Sequence, residues 1–259
     1  MTLDLLRPYG FGELLAVSLR TWVRHLPLFL TLALIVVAPL YVLLDWQVYD
    51  LEQMPGGWAY FASTLEHGVV IPALVTAMHV VAVQDLGRGE RPRIGHAAAV
   101  AVRLAPRLML VVLLYAALIG LGILACIIPG LIAFVRLFFA PQAAVVDGSG
   151  VYDSLHDSGE LTGEGRWVRT GAVLVLLSVV GYGINAGAGA LLAEVGSDAV
   201  AVVLGILQVS VVISLWALVG TLLFFDLRAR RRANPPAAAA GSLQLTGVDP
   251  REHGRRDPA

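Results

Sequence analysis

The chain has 259 residues, of which 58% are hydrophobic and only 14% charged, with a formal net charge of −1 and a mean hydropathy of +0.78. An ordinary soluble domain is about 25% charged, so these residues lack the polar groups needed to cover a water-soluble globule. Apolar runs of about 18 residues or more read as bilayer spans, and they place this chain among polytopic membrane proteins.

All 18 basic residues are arginine, a bias that reads as high-G+C coding together with the Ala, Gly and Val richness. Cys126 is the only cysteine, so no internal disulfide forms, and one thiol supports neither a zinc nor a redox site. The first long apolar run begins only near Leu26, after Asp4 and Glu13, so a cleaved signal peptide is not expected.

In chain order, the first predicted element is an amphipathic helix. Arg20 and Arg24 follow Glu13 by seven and eleven residues, on one face, with Leu15, Leu19 and Trp22 on the other. Such a helix lies along a membrane surface, apolar side down. Spans follow at 26–44 and 68–84, joined by a loop with Asp45, Asp50, Glu52 and Glu66 and no arginine. Then comes a segment with Arg88, Arg91, Arg93, Arg103 and Arg107. Within it Ile94-Gly95, Val100, Arg103 and Arg107 repeat Phe11-Gly12, Val17, Arg20 and Arg24 at one constant offset, which predicts a second interfacial helix.

The third and fourth spans, 108–125 and 129–146, are separated only by Cys126-Ile127-Ile128. From Leu108 to Val146 is 39 residues, about 58 Å of helix, which is close to two crossings of a ~30 Å core. Pro129-Gly130 is read as the break. A third amphipathic segment, 151–161, follows, and with Glu164 it presents Asp153, His156, Asp157 and Glu160 on one stripe. Three readings are open: a solvated acidic face, a face docked on the arginines of the other two copies (Arg103 with Asp157), or a metal site using His156 with Glu160 and Asp153 with Asp157. Spans at 171–193 and 199–225 complete the set, with Arg166 and Arg169 before them, Glu194 and Asp198 between them, and Arg228, Arg230, Arg231 and Arg232 after them.

Charge predicts the topology. Every connection on one side carries arginine and none on the other does, so both termini are expected in the cytoplasm of a plasma-membrane protein. Trp46, Trp58 and Tyr60 near the outer boundary, and Trp22 and Trp167 near the inner one, suit interfacial belts. The expected fold is all-α: a bundle of six transmembrane helices with three cytoplasmic interfacial amphipathic helices, built as three helix-plus-hairpin repeats over residues 1–228. Residues 229–259 are expected to be a disordered cytoplasmic tail.

Ile128-Pro129-Gly130, Arg136, Ala140-Pro141 and Val145-Val146-Asp147-Gly148 form a pattern that continues through Ser158, Leu161, Gly163, Arg166-Trp167 and Arg169. With Gly12-Glu13-Leu14 and Pro39, it resembles the membrane domain of some glycerophosphoryl diester phosphodiesterases and their free-standing six-span bacterial relatives, over roughly residues 8–228. Where that family carries a basic residue before the serine, this chain has His156-Asp157. The resemblance implies a membrane module without the phosphodiesterase activity, which in fused members belongs to a separate soluble barrel. A (β/α)₈ barrel needs about 250 residues, and six spans occupy this chain.

Four residues stand out as candidates. Arg136 lies near the middle of the fourth span with ten residues between it and Asp147. It either receives a lipid phosphate or another anion, or pairs with Asn185, Gln208 or a carbonyl freed at Pro129 or Pro141. His79, alone in the second span, reads as a hydrogen-bonded packing residue or a proton relay. Asn185 stands in a run with Gly181, Gly183, Gly187 and Gly189, where Gly183 and Gly187 suit close helix contact and the asparagine an interhelical hydrogen bond, or a broken helix at a transport site.

No catalytic pair, nucleophile elbow, cofactor motif or metal set is expected. The first functional expectation is a non-enzymatic module that binds lipid, anionic lipid included, organises the membrane or scaffolds a membrane-protein partner; no nucleic acid is expected. The alternative is a small transporter or permease-like subunit, and an intramembrane enzyme acting on lipid headgroups ranks third.

Overall fold

The computed structural model describes residues 3–51, 66–163, 165–192 and 198–233. Among them the chain is helical, with no strand: α1 (Phe11–Arg24), α2 (Leu26–Leu51), a π-helical turn leading into α3 (Ile71–Gly87), α4 (Ile94–Ala125), α5 (Ile127–Leu137), α6 (Ala140–Asp147), α7 (Val151–Leu161), α8 (Arg166–Leu192) and α9 (Asp198–Ala233). Five stretches are long and apolar enough to cross a bilayer: His67–Gly87, Ile94–Ala125, Ile127–Asp147, Arg166–Leu191 and Ala199–Ala233. The pair Phe11–Arg24 and Leu26–Val42, bent by 79°, raises the number to as many as six. The fold is an all-α helical membrane bundle.

The bend between α1 and α2 falls where Pro27 enters the first turn of α2. A proline ring there collides with the carbonyl four residues back, so α1 cannot run on. α3 is the axis of the bundle: Ala73, Val75, Ala77, Val80, Ala82 and Val83 are fully buried, and Met78 and Val81 nearly so. α4 and α8 lie outside it and keep many large apolar side chains exposed, among them Leu113, Leu121, Leu124, Val175 and Val179. A helix apolar all round is buried or faces lipid.

The break between the third and fourth spans is narrower than the sequence suggests. Only Cys126, in extended conformation, separates α4 from α5. Pro129 is not the break but the third residue of α5, where its missing N–H would have had no helical partner. The glycine has a separate task. A Cβ on Gly130 would lie 2.7 Å from the Ile123 backbone nitrogen, and one on Gly122 would lie 2.7 Å from Gly130 Cα. The two helices therefore touch backbone to backbone.

Other expectations change as well. The second interfacial helix is not a separate element: residues 94–107 are the leading half of a continuous 32-residue helix, despite Pro106 inside it. Residues 229–233, read as the start of the tail, form the last turn of α9, because Arg230 and Arg231 anchor them to Tyr9, Asp226 and Glu160. Trp22 is half-buried, and its Nε1 donates to Ser214 Oγ at 3.1 Å. Glu52, Trp58, Tyr60, Glu164, Glu194 and the tail beyond Ala233 lie outside the described residues.

The arginine-bearing segments meet at one end of the bundle. Arg107 donates to the Gly148 carbonyl at 2.7 Å, Arg228 pairs with Asp147 at 2.5 Å, and Arg231 pairs with Glu160. Tyr9 N donates to Asp226 Oδ1 at 2.6 Å, which brings the N-terminal strap to the same place. Exposed Cys126 marks the other tip of the α4–α5 hairpin. A membrane-impermeant maleimide is expected to label Cys126 only from the side opposite a tag placed at the C-terminus. Labelling from the same side would remove the six-crossing arrangement.

Candidate functional site

The fourth span is two helices, not one. α5 ends at Leu137, Phe138 and Phe139 form a turn, and α6 begins at Ala140 with Pro141 in its first turn. The turn leaves the Arg136 carbonyl and the Phe139 N–H without helical partners, and a break inside apolar surroundings needs every such group satisfied from elsewhere. α7 supplies the partners. It runs back along α6 and presents buried Ser154, Ser158 and Thr162 at successive turns. Ser158 Oγ donates to the Arg136 carbonyl at 2.7 Å and accepts from Phe139 N at 3.1 Å. Thr162 Oγ1 lies 3.3 Å from the same Arg136 carbonyl. The Gln142 amide, oriented so that both its ends are satisfied, donates to the Phe138 and Phe139 carbonyls at 3.1 and 3.3 Å.

This arrangement decides where Arg136 goes. The sequence places it at mid-span, and the structure puts it on the last turn of α5, exposed, in a cleft with residues of α7 and with Arg166 and Arg231. Its guanidinium makes no hydrogen bond or ion pair among the described residues. It lines a cleft of about 450 Å³ with Leu155, His156, Gly159, Glu160, Gly163, Arg166 and Arg231. Glu160, the acid lining this cleft, is already engaged by Arg231, and His156 Nε2 stands 3.3 Å from its other oxygen. The hydrogen bond from Arg231 lowers the pKa of the Glu160 carboxyl, against an opposing effect of burial and with help from the charges of Arg231 and His156. Arg166 Nε donates to the Leu161 carbonyl at 2.9 Å, which fixes its side chain along the rim.

The remaining candidates lie elsewhere and do not meet Arg136. Asp147 pairs with Arg228, whose guanidinium also covers the Phe224 ring at 4.9 Å. Asn185 accepts from Gln208, so the two side chains considered as partners for Arg136 satisfy each other. His79 is fully buried, with Nδ1 2.8 Å from the Val75 carbonyl and Nε2 3.1 Å from Ser214 Oγ. A carbonyl only accepts, so Nδ1 carries the proton and Nε2 accepts from Ser214, which in turn accepts from Trp22. The ring stacks on Phe29 at 5.3 Å. That chain of bonds ties α1, α3 and α9 together.

Two pairings expected from the sequence are replaced. Glu160 docks on Arg231 of α9, not on the arginines of the first two copies, and no ion pair joins Asp157 to Arg103. Within this chain the close helix approach on α8 occurs at Gly181, where a Cβ would lie 3.3 Å from Trp216 Nε1. At Gly183 and Gly187 it would meet nothing within 4 Å. Among the described residues no group of three or more His, Cys, Asp and Glu side chains is placed to hold a metal.

A further charged site has no local signal in the sequence. Asp226 is 1% exposed. Its Oδ2 accepts from Arg169 Nε and Arg230 Nε, each at 3.1 Å, while Oδ1 accepts from Tyr9 N. Both arginines also donate to the Tyr9 carbonyl. Asp226 thus holds the strap before α1 onto the starts and ends of the last two spans.

No family model matches the chain, and no solved structure matches it.

Ser158→Ala is expected to cost about 1–3 kcal/mol of unfolding free energy, the usual effect of leaving buried backbone groups unsatisfied; SDS titration in mixed micelles reads it. Asp226→Ala strands two arginines and is expected to cost about 3–5 kcal/mol. It should also expose the strap at Leu3–Arg7 to limited proteolysis.

Proposed function

We propose that the protein is a non-enzymatic membrane module that holds the phosphate of an anionic lipid in the cleft beside Arg136. The observation that carries this reading is the pairing pattern. Arg231 and His156 take up the carboxylate of Glu160, while among the described residues the Arg136 guanidinium has no acceptor. Guanidinium groups match phosphate oxygens in a bidentate fork, and basic pockets at the ends of spans suit lipid headgroups. The amphipathic α1 supports a surface position, since Phe11, Leu19 and Val23 stay exposed on it at helical spacing.

The arginine asymmetry supports a plasma-membrane protein with both termini in the cytoplasm. The resemblance to the membrane domain of glycerophosphoryl diester phosphodiesterases fits a module that handles lipid without hydrolysing it. A small transporter or permease-like subunit is the second reading, favoured by a cavity beside Asn185 that lies among the spans. Against it, His79 does not line that cavity, and its walls are mainly apolar.

The test is lipid retention by the full chain purified in mild detergent from its native membrane and weighed by native mass spectrometry. Arg136→Ala is expected to lower retention of an anionic phospholipid about tenfold, ~1.4 kcal/mol. Arg103→Ala, exposed on α4 away from the cleft, should leave retention unchanged. Equal retention by the two variants, or equal retention of phosphatidylcholine, would overturn the assignment.

A further inference from the structure

Away from Arg136, Phe134 of α5 and Phe138 border an open-sided cavity of about 410 Å³, lined by residues of α3, α4, α6, α8 and α9 as well. That volume is within the range of small-molecule sites, about 300–1,000 Å³. Its walls are apolar for the most part, with Val112, Val209, Val212, Ile213 and Trp216 facing the space. Trp216 and Phe138, with ring centroids 6.2 Å apart, make one side of it rigid.

Four polar side chains reach the cavity, and they divide into two kinds. Gln142 is committed to the break carbonyls and Asn185 to Gln208. The hydroxyls of Thr76 and Tyr115 line the same space and have no hydrogen-bond partner among the described residues. A threonine inside a helix ordinarily returns its hydroxyl to its own backbone, as Thr31, Thr170 and Thr221 do here. Both residues are partly buried, so each hydroxyl is placed to bond a molecule in the cavity. The walls therefore offer hydrogen bonds and no charge.

We infer that this cavity binds an uncharged amphiphile, an apolar chain carrying a hydroxyl or carbonyl oxygen, with that oxygen on Thr76 and Tyr115 and the chain along Phe134, Phe138 and Trp216. No charged side chain lines the space, so a carboxylate or phosphate would be stranded there without a counter-ion. The site is thus distinct in chemistry from the cleft beside Arg136 and stands or falls separately.

The experiment uses the full chain in phosphatidylcholine nanodiscs with a diazirine-bearing C16 alcohol, the crosslinks being mapped by peptide mass spectrometry. Crosslinks should concentrate on the segment around Val209–Trp216 and on Phe134–Phe138. Unlabelled hexadecanol should compete saturably, and hexadecane or palmitate at neutral pH at least about tenfold less well. Tyr115→Phe, a near-isosteric change, combined with Thr76→Val should weaken the competition by hexadecanol about tenfold, while Val212→Trp should abolish the crosslinks by filling the space. Arg136→Ala should leave them unchanged. Crosslinks that rise linearly with probe and spread over the exposed Leu113–Leu124 face would overturn the inference, as would equal competition by the alkane or the carboxylate.

Discussion

An unsatisfied carbonyl or amide in hydrocarbon costs several kcal/mol, and the arrangement of the fourth to sixth spans follows from how this chain meets that constraint. The turn at Phe138–Phe139 interrupts an apolar run that would otherwise be one helix, and the freed groups at Arg136, Phe138 and Phe139 must find donors and acceptors. The hydroxyl of Ser158 does both tasks at once. To deliver it, α7 has to fold back along α6 instead of lying free on the surface. That places Glu160 within reach of Arg231, draws the end of α9 across the break and defines the walls of the cleft.

The second organising element is electrostatic, and it acts at the same end. Asp226 is enclosed, and an enclosed carboxylate is tolerated where its oxygens are fully used. Here two guanidinium groups and one backbone N–H use them, and both arginines extend to the carbonyl of Tyr9. The strap before α1 is held by the third helix-plus-hairpin unit. Arg107 of the second unit likewise holds the Gly148 and Ser149 carbonyls just before α7. In both cases an arginine at or beside a span grips the residues that precede an amphipathic helix of another unit. The repeats are joined to each other through these junctions as well as through apolar packing.

How much of this could be read from the sequence depends on the range of the interaction. Long apolar runs report themselves, so the spans were legible, and so were α1 and α7 from their 3.6-residue periodicity. The break at Phe138–Phe139 was harder to see because aromatic residues flank it and hydropathy does not drop. Pro141 was the local sign, since proline prefers the first turn of a helix. Arg136 falls in the middle of the stretch Ile127–Asp147, and no local signal showed that α7 and the end of α9 fold against it. Asp226 and Arg169 are 57 positions apart, and such a pairing leaves no periodic trace. Gly183 and Gly187 carry the spacing of a packing face, yet Gly181 meets Trp216; spacing names the faces of a helix but not which one turns inward.

The Arg136 cleft and the cavity beside Tyr115 share α5 as a common wall and differ in what they can accept. Among the described residues Glu160 is the one acid that lines the cleft, and it is engaged by Arg231 and not by Arg136. The cavity has no charge to offer and two hydroxyls without partners. Helix α5 has its own backbone bonds broken at one end and its backbone packed against α4 through Gly122 and Gly130 at the other. Its register is therefore set by hydrogen bonds from α7 and by glycine contact, not by side chains that would fill the two spaces. The same short helix thus turns a polar face to the cleft and an apolar face to the cavity.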